Sequence, residues 1–117
     1  PVSSKIENSI RVVDAAEECL NDLYLELIKV ESLASALNVS IRRLQYAFND
    51  VLGITPKRYL KIRRLNYVRQ KLLVEPDVTV SRHAAEAGFW HMSQFAKDYK
   101  AMFGEAPSET RNINKHH

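Results

Sequence analysis

The chain has 117 residues, 45% of them hydrophobic and 26% charged, and a formal net charge of +3, which are ordinary values for a small globular protein. Its length suits one compact domain or two very small ones, and it contains neither an apolar run long enough to span a membrane nor a signal-peptide pattern. The single cysteine, Cys19, excludes a disulfide framework and a zinc finger and suits a reducing cytoplasm, and we expect it to be a small buried hydrophobe.

The N-terminal part of the chain contains one predicted helix. Residues 1–9 are predicted to be a disordered or linker segment. From about Ser9 to Asp22, hydrophobic side chains recur at helical spacing and predict an amphipathic helix. The side chains expected to face inward are Ile10, Val13, Ala16 and Leu20.

Two helices separated by a tight turn are predicted next. A short helix over residues 30–37 ends at Asn38, and Ser40 is a good N-cap for the following helix. That helix extends to about residue 52, where Gly53 supplies the left-handed residue that ends it. The side chains that it is expected to bury are Ile41, Leu44, Phe48 and Val51.

A long helix and three shorter ones are predicted in the second half. Pro56 takes the first position of the long helix, where its missing N–H is not needed, and the helix extends to about residue 73, a length of roughly 27 Å. Residues 75–77 break it. The shorter helices, separated by Gly88 and Gly104, cover residues 80–87, 91–103 and 107–111. Since no segment alternates convincingly with a period of two, the fold is predicted to be all-α, with about seven helices.

The two halves of the chain repeat each other. Four positions recur at an offset of 50 residues: Val30 as Val80, Ala34 as Ala84, Asn38 as Gly88 and Val39 as Phe89. Five more recur at an offset of 51: Leu44 as Phe95, Phe48 as Tyr99, Leu52 as Phe103, Gly53 as Gly104 and Pro56 as Pro107. One residue inserted in a turn accounts for the change of offset.

The repeated unit has the pattern of a helix-turn-helix. A small residue lies where two helices cross, a residue that tolerates a left-handed backbone follows four positions later, and an apolar residue comes next. We therefore predict two homeodomain-like subdomains, over residues 10–54 and 75–117, joined by a linking helix over residues 55–74.

Charge is distributed unevenly along the chain. Residues 1–28 carry a net charge of −4, whereas residues 29–117 carry +7. Within residues 42–71 there are nine basic side chains and one acidic side chain, Asp50. A basic run between two repeated helix-turn-helix units favours a polyanionic partner, and double-stranded DNA fits it best.

The second helix of each repeat has an outward face that can read base edges. Arginine pairs bidentately with guanine, and glutamine or asparagine with adenine. On the first such helix the predicted base-reading residues are Arg42, Gln45, Tyr46 and Asn49. On the second they are Met92, Ser93, Gln94 and Lys97, a face without arginine that we expect to discriminate bases less strongly. The alternative is that both are ordinary solvated faces of a helical bundle.

A second set of residues is predicted to contact the DNA backbone. Such contacts fix the register of a protein on the duplex without reading its sequence. About half of the basic residues on the linking helix are expected to be merely solvated. The predicted backbone-contacting residues are Ser40, Arg43, Lys57, Lys61, Arg64 and His91.

Several short motifs resemble those of one family, the AraC/XylS transcription regulators, in their DNA-binding domain. In the first half the carrying residues are Leu33-Ala34, Ser40, Leu44-Gln45, Phe48, Gly53, Pro56, Tyr59-Leu60 and Arg64-Leu65. In the second half they are Ala84, Gly88-Phe89, Phe95, Tyr99-Lys100, Phe103-Gly104 and Pro107-Ser108. The resemblance covers nearly the whole chain.

The resemblance implies a bacterial, cytoplasmic and nucleoid-associated regulator whose two recognition helices enter adjacent major-groove segments one DNA turn apart. It implies that a sensor or dimerisation domain is missing from this fragment, and it allows RNA polymerase as a further partner. The base-facing residues that it implies are Arg42, Gln45, Tyr46, Met92, Ser93 and Lys97.

The chain departs from the family pattern at four places. His83 occupies a position that is usually aliphatic, Tyr99 one that is usually phenylalanine, and Thr110 that of a common tyrosine. Trp90-His91 replaces a small polar cap, and we expect Trp90 to be a packing or backbone-facing residue rather than a base reader.

Two other classes of function compete with DNA binding. The histidines have no metal-ligand spacing, and no phosphate loop or nucleophile motif is present, so we predict neither an enzyme nor a metal or other cofactor. His116 and His117 are assigned no function. A protein-interaction module that contacts the transcription machinery without reading bases is the stronger alternative. The operator, the effector and the choice between activation and repression stay open.

Overall fold

A computed structural model describes residues 2–23 and 29–115, so that His116 and His117 lie outside the described residues. Within those ranges the chain forms seven helices and no strand, which confirms the all-α prediction. No helix among them is both long and apolar enough to cross a membrane. The helices are α1 (Val2–Leu23), α2 (Val30–Leu37), α3 (Ile41–Leu52), α4 (Pro56–Val74), α5 (Val80–Glu86), α6 (Met92–Phe103) and α7 (Pro107–Lys115).

The helix α1 differs from the prediction at its start and on its buried face. Residues 2–9, predicted to be disordered or a linker, belong to this helix. Ser9 is fully buried and its Oγ donates to Asp50 Oδ2 at 3.4 Å, whereas Ile10, predicted to face inward, is 40% exposed. The reason is that a serine occupies the first inward position of the helix, and a search for hydrophobic residues at helical spacing overlooks a serine. The stripe consists of Ser9, Val13, Ala16 and Leu20.

The chain divides into two compact units, residues 1–62 and 63–117, each with its own core. In unit 1, α1 packs against α2 and α3, and in unit 2, α5, α6 and α7 pack against one another. The division falls inside α4, so this helix is shared: Leu60 belongs to the first core, and Leu65 and Val68 belong to the second. The predicted linking helix therefore contributes side chains to both cores.

The turn between the two helices of each repeat is built in the same way. Asn38 has a left-handed backbone with φ 55°, and Gly88 has φ 90°. The next N–H donates back to the buried alanine of the preceding helix, Val39 to Ala34 at 3.0 Å and Phe89 to Ala84 at 2.9 Å. Asparagine and glycine are favoured there because most other side chains strain a left-handed backbone.

Helix ends follow the predicted signals closely. Ser40 accepts the N–H of Arg43 at 3.0 Å and caps α3, and Gly53 and Gly104 end α3 and α6 with φ 69° and 77°. The caps align Ser40 with His91, which leaves Trp90 as the extra residue of the second turn. Trp90 is therefore the inserted residue that changes the offset of the repeat from 50 to 51.

Two predictions of burial need correction. Ile41, predicted to be buried, is 40% exposed, because it is the first residue of α3 and the core starts one turn later at Leu44. Cys19 is half-buried and packs against the first core, so it is a small apolar residue at the core margin.

His83, which occupies a position that is usually aliphatic in the family, has a structural role. Its side chain is 1% exposed, and its Nε2 donates to the carbonyl oxygen of Glu75 at 3.0 Å. That carbonyl also accepts the N–H of Val78 at 3.2 Å, and an aliphatic side chain at position 83 could not provide the second bond, at the point where the chain leaves α4. His83 therefore connects α5 to the break between α4 and α5.

Tyr99 and Thr110, two residues that differ from the family pattern, contact each other in unit 2. Both side chains are fully buried, and Tyr99 Oη donates to Thr110 Oγ1 at 2.7 Å. The threonine hydroxyl in turn donates to a carboxylate oxygen of Glu105. Burial raises the pKa of Tyr99, and the hydrogen bond to Thr110 opposes that shift only in part. The neutral phenol is thus the form that the fold requires.

Replacing Tyr99 by phenylalanine should reduce the free energy of unfolding by about 1 kcal/mol at neutral pH, because one buried hydrogen bond is lost. The folded-state pKa is raised, so the stabilising contribution of Tyr99 is present below the unfolded pKa of about 10 and is lost as the pH rises above it. Urea titrations at several pH values should therefore show a flatter alkaline decline for Tyr99→Phe. Equal declines for both proteins would contradict this assignment.

Candidate nucleic-acid interface

The helix α3 separates a buried face from an exposed polar one. Leu44, Ala47 and Phe48 are each 0% exposed and anchor the helix to the core of unit 1. The four predicted base-reading residues all lie on the exposed face, namely Arg42, Gln45, Tyr46 and Asn49. The structure therefore brings the first predicted set together on one surface, which is the recognition face of α3.

Arg42 is oriented by its neighbour one turn along α3. Its Nη2 and Nε donate to Tyr46 Oη at 2.9 and 3.3 Å, and its guanidinium carbon lies 5.3 Å from the centre of the Tyr46 ring. A guanidinium has five N–H donors, so these two contacts leave three for a ligand. The pair fixes a flexible cation in a direction from which it can still donate bidentately.

Ser40 and Arg43 are partly used within the protein. The Ser40 hydroxyl caps α3, and Arg43 is half-buried with its Nη1 donating to the buried Ser9 Oγ at 3.5 Å. Both were predicted to contact the DNA backbone. Ser40 is exposed, whereas Arg43 reaches toward α1, so its contact with phosphate is the weaker of these two predictions.

The helix α6 carries a second exposed face in unit 2. Phe95 and Tyr99 hold its other side in the core, with their ring centres 5.8 Å apart. Gln94 is tied to Asp98, to which its Nε2 donates at 3.0 Å. The exposed residues include all four of the predicted base readers, Met92, Ser93, Gln94 and Lys97. This surface is the recognition face of α6.

Met92, a member of this face, is 37% exposed. It lines an open groove of about 490 Å³ whose other lining residues include Val80, Phe95 and Pro107. Its thioether is thus divided between an apolar groove and the solvent, which suits contact with an apolar group such as a thymine methyl.

The turn before α6 is the region that the sequence described least well. His91 is the N-cap of α6 but makes no side-chain capping bond, and it is exposed. Trp90 is 78% exposed, so the expectation that it packs is wrong, while a role facing the DNA backbone stays open. The signal available in the sequence was the change of repeat offset from 50 to 51, because an inserted residue has no equivalent position in the other repeat.

The basic residues of α4 differ in their surroundings. Lys57 is exposed, whereas Lys61 and Arg64 are half-buried. The guanidinium carbon of Arg64 lies 4.8 Å from the centre of the Phe89 ring, and its buried Nε–H has no acceptor among the described residues. Desolvation lowers the pKa of Arg64, although an arginine stays charged. Lys57 is thus the best placed of these three to meet a phosphate.

Among the residues described, no group of three or more histidine, cysteine, aspartate or glutamate side chains could hold an ion. What the two recognition faces share is a set of exposed donors and acceptors on a rigid helix, next to a tight turn. That arrangement can bind a polar, negatively charged surface.

Comparison with known proteins identifies the family. A family model described as a helix-turn-helix domain matches residues 33–113. A solved structure of a probable AraC family transcriptional regulator from Rhodopseudomonas palustris is 32% identical, with a TM-score of 0.76 over 87% of this chain and 95% of that one. The chain belongs to the AraC/XylS family, as its DNA-binding domain. AraC/XylS domains of this type are not enzymes.

Two further relatives agree with this membership. An AraC-type DNA-binding domain structure from Chromobacterium violaceum has a TM-score of 0.80 and 25% identity, over 93% of this chain and 96% of that one. The "XylDLEGF operon transcriptional activator 1" of Pseudomonas putida is 37% identical over 90% of this chain, which spans 31% of that protein's length. The alternative of a protein-interaction module that does not read DNA is not favoured.

Proposed function

We propose that this domain binds double-stranded DNA sequence-specifically, with the recognition faces of α3 and α6 each in a major-groove segment. The observation that carries the proposal is the repeat. Two helix-turn-helix turns are closed by equivalent hydrogen bonds, and each is followed by a helix with an exposed polar face. In a helix-turn-helix, it is this second helix that reads base edges in the major groove.

The two faces are expected to contribute unequally. The α3 face offers Arg42, Gln45 and Asn49, all of which can pair bidentately with a base. On the α6 face, Gln94 is already engaged by Asp98, which leaves Ser93, Lys97 and the thioether of Met92. We therefore expect α3 to set most of the base preference.

Selection of bound sequences from a random DNA pool, followed by footprinting on the selected site, tests the proposal. We expect two protected major-groove segments about one turn of DNA apart, with the stronger base preference in one of them. Protection of a single segment of about five or six base pairs would leave only one helix reading DNA. A selection without enrichment would contradict sequence-specific binding altogether.

Replacing Lys57 by alanine should weaken binding to the selected site and to random duplex by similar factors. Lys57 is exposed in the first turn of α4, and a lost phosphate contact reduces the slope of log affinity against log salt by about 1. The matched control is Lys5→Ala, which removes an exposed lysine from the acidic N-terminal part of the chain and should leave the slope unchanged. Equal slopes for both variants would assign Lys57 to solvent.

We further propose that the natural regulator acts in the bacterial cytoplasm, on the nucleoid, as an activator. Support comes from the Pseudomonas putida relative, which is named an operon transcriptional activator and is about three times longer than the matched segment. A sensor or dimerisation domain and RNA polymerase are the additional partners proposed for that longer protein. Reporter transcription with the full-length regulator and its operator tests this, and repression in place of activation would overturn it.

A further inference from the structure

Trp90 is the residue of unit 2 whose position is least explained by the fold. It is the only tryptophan of the chain and is 78% exposed, the largest exposure among the large hydrophobic side chains described. Its neighbour Phe89 is buried, with its ring centre 4.9 Å from that of Phe95. The backbone of the turn is therefore anchored while the indole points into solvent. Folding alone does not favour a solvent-exposed indole at a fixed position.

Trp90 is also an addition to the repeated unit. In the first repeat, Val39 is followed directly by the N-cap Ser40, whereas in the second Trp90 separates Phe89 from the N-cap His91. The hydrogen bond that closes the turn, from the Phe89 N–H to the Ala84 carbonyl oxygen, matches that of the first repeat. The insertion thus leaves the turn intact and adds one exposed aromatic ring beside the recognition face of α6.

We propose that Trp90 contacts the sugar-phosphate backbone of the DNA at the rim of the groove that α6 enters. This inference rests on the proposed function. Trp90 lies two residues before α6, and the intervening His91 has an extended backbone with φ −108° and ψ 96°. Residues inside a recognition helix reach the base edges, whereas a residue of the preceding turn meets the strand that borders the groove.

The chemistry of an indole suits that position. Its ring can pack against the apolar face of a deoxyribose, and its N–H can donate to a phosphate oxygen. Such a contact adds affinity without sequence preference. It would compensate for an α6 face that lacks arginine, by holding the helix in the groove rather than by reading it.

Tryptophan fluorescence of the wild-type protein, excited at a wavelength that its five tyrosines do not absorb, reports on Trp90 alone, because the chain has no other tryptophan. A labelled duplex carrying the selected site first shows by its anisotropy that the complex is saturated. Acrylamide, a neutral quencher, should then quench the Trp90 emission several-fold less in the complex than in the free protein. An anisotropy that does not rise would refute the proposed function. Saturated anisotropy with unchanged quenching would refute only the role of Trp90, and would direct the residue toward a protein partner.

Substitutions at Trp90 test its contribution to DNA affinity. Trp90→Ala should weaken binding to selected and random duplex alike, by about tenfold, whereas Trp90→Phe, which keeps a ring but loses the N–H, should lose less. Val74→Ala is the matched control, because Val74 is another exposed apolar residue of unit 2, at 59%, and lies at the end of α4. Its affinity should equal that of the wild type. A loss for Trp90→Ala confined to the selected site would make Trp90 a base reader, and no loss would remove it from the interface.

Discussion

Phe48→Ala is expected to lower the free energy of unfolding of unit 1 by about 3–5 kcal/mol, the largest effect that we predict for a single substitution. Phe48 is 0% exposed, and its ring centre lies 5.0 Å from that of Tyr59 in an edge-to-face arrangement with an interplanar angle of 66°. Truncation removes this ring and leaves a cavity between α3 and α4 that a close-packed core cannot fill without strain. A loss of this size is a large fraction of the stability of a small domain.

Urea unfolding followed by circular dichroism measures the effect, with Gln45→Ala as the control. Both substitutions lie on α3, but Gln45 is exposed, and exposed substitutions usually change stability by less than about 0.5 kcal/mol. A loss below about 1 kcal/mol for Phe48→Ala would mean that the first core collapses around the site or is not closely packed. The variant should also lose DNA binding, since α3 is held in place by this core.

Much of the fold could be predicted because its signals are local. Proline and glycine at helix ends, a serine N-cap and the left-handed turn at Asn38 each reflect a backbone requirement that few residues satisfy. The repeat then linked these local signals, since the same pattern appeared twice with the same spacing apart from one inserted residue. Agreement between local and long-range signals is what a sequence that folds uniquely provides.

The predictions that failed depend on contacts between residues distant in the sequence. Ser9 is buried with a hydrogen bond to Asp50 and takes the place predicted for Ile10 in the inward stripe of α1, whose other three members were predicted correctly. Trp90 was expected to pack or to face the DNA backbone, and its exposure of 78% excludes packing. The spacing of hydrophobic residues predicts neither a buried serine nor an exposed indole.

For the candidate site, too, local features could be predicted from the sequence and side-chain contacts could not. The outward faces of α3 and α6 could be predicted from helical periodicity alone, because the side that a helix buries determines the side that it exposes. The contacts that each polar side chain makes on those faces could not be predicted from the sequence. The bonds between Arg42 and Tyr46 and between Gln94 and Asp98 join side chains one turn apart, and a sequence allows such pairs without requiring them.

Arg42→Ala and Gln45→Ala are each expected to weaken binding to the selected DNA site by about 1–3 kcal/mol and to relax preference at one or two base pairs. The two residues lie three positions apart on the recognition face of α3, so both can point into the same groove. Affinities for selected and random duplex, measured by anisotropy at one salt concentration, give the specificity ratio. That ratio should fall, whereas a lost phosphate contact would leave it unchanged.

Tyr46→Phe separates positioning from reading. It removes the hydroxyl to which Arg42 donates at 2.9 and 3.3 Å but keeps the aromatic ring beneath the guanidinium. If the hydroxyl orients Arg42 for DNA, Tyr46→Phe should reduce the specificity ratio in the wild type and have little further effect in the Arg42→Ala background. Additive losses would instead make Tyr46 an independent contact. Normal helical content and melting for all variants are expected, because none of these side chains is in the first core. Folded Arg42→Ala and Gln45→Ala variants that kept the wild-type ratio would reduce α3 to a positioning element and transfer base reading to α6 or to DNA shape.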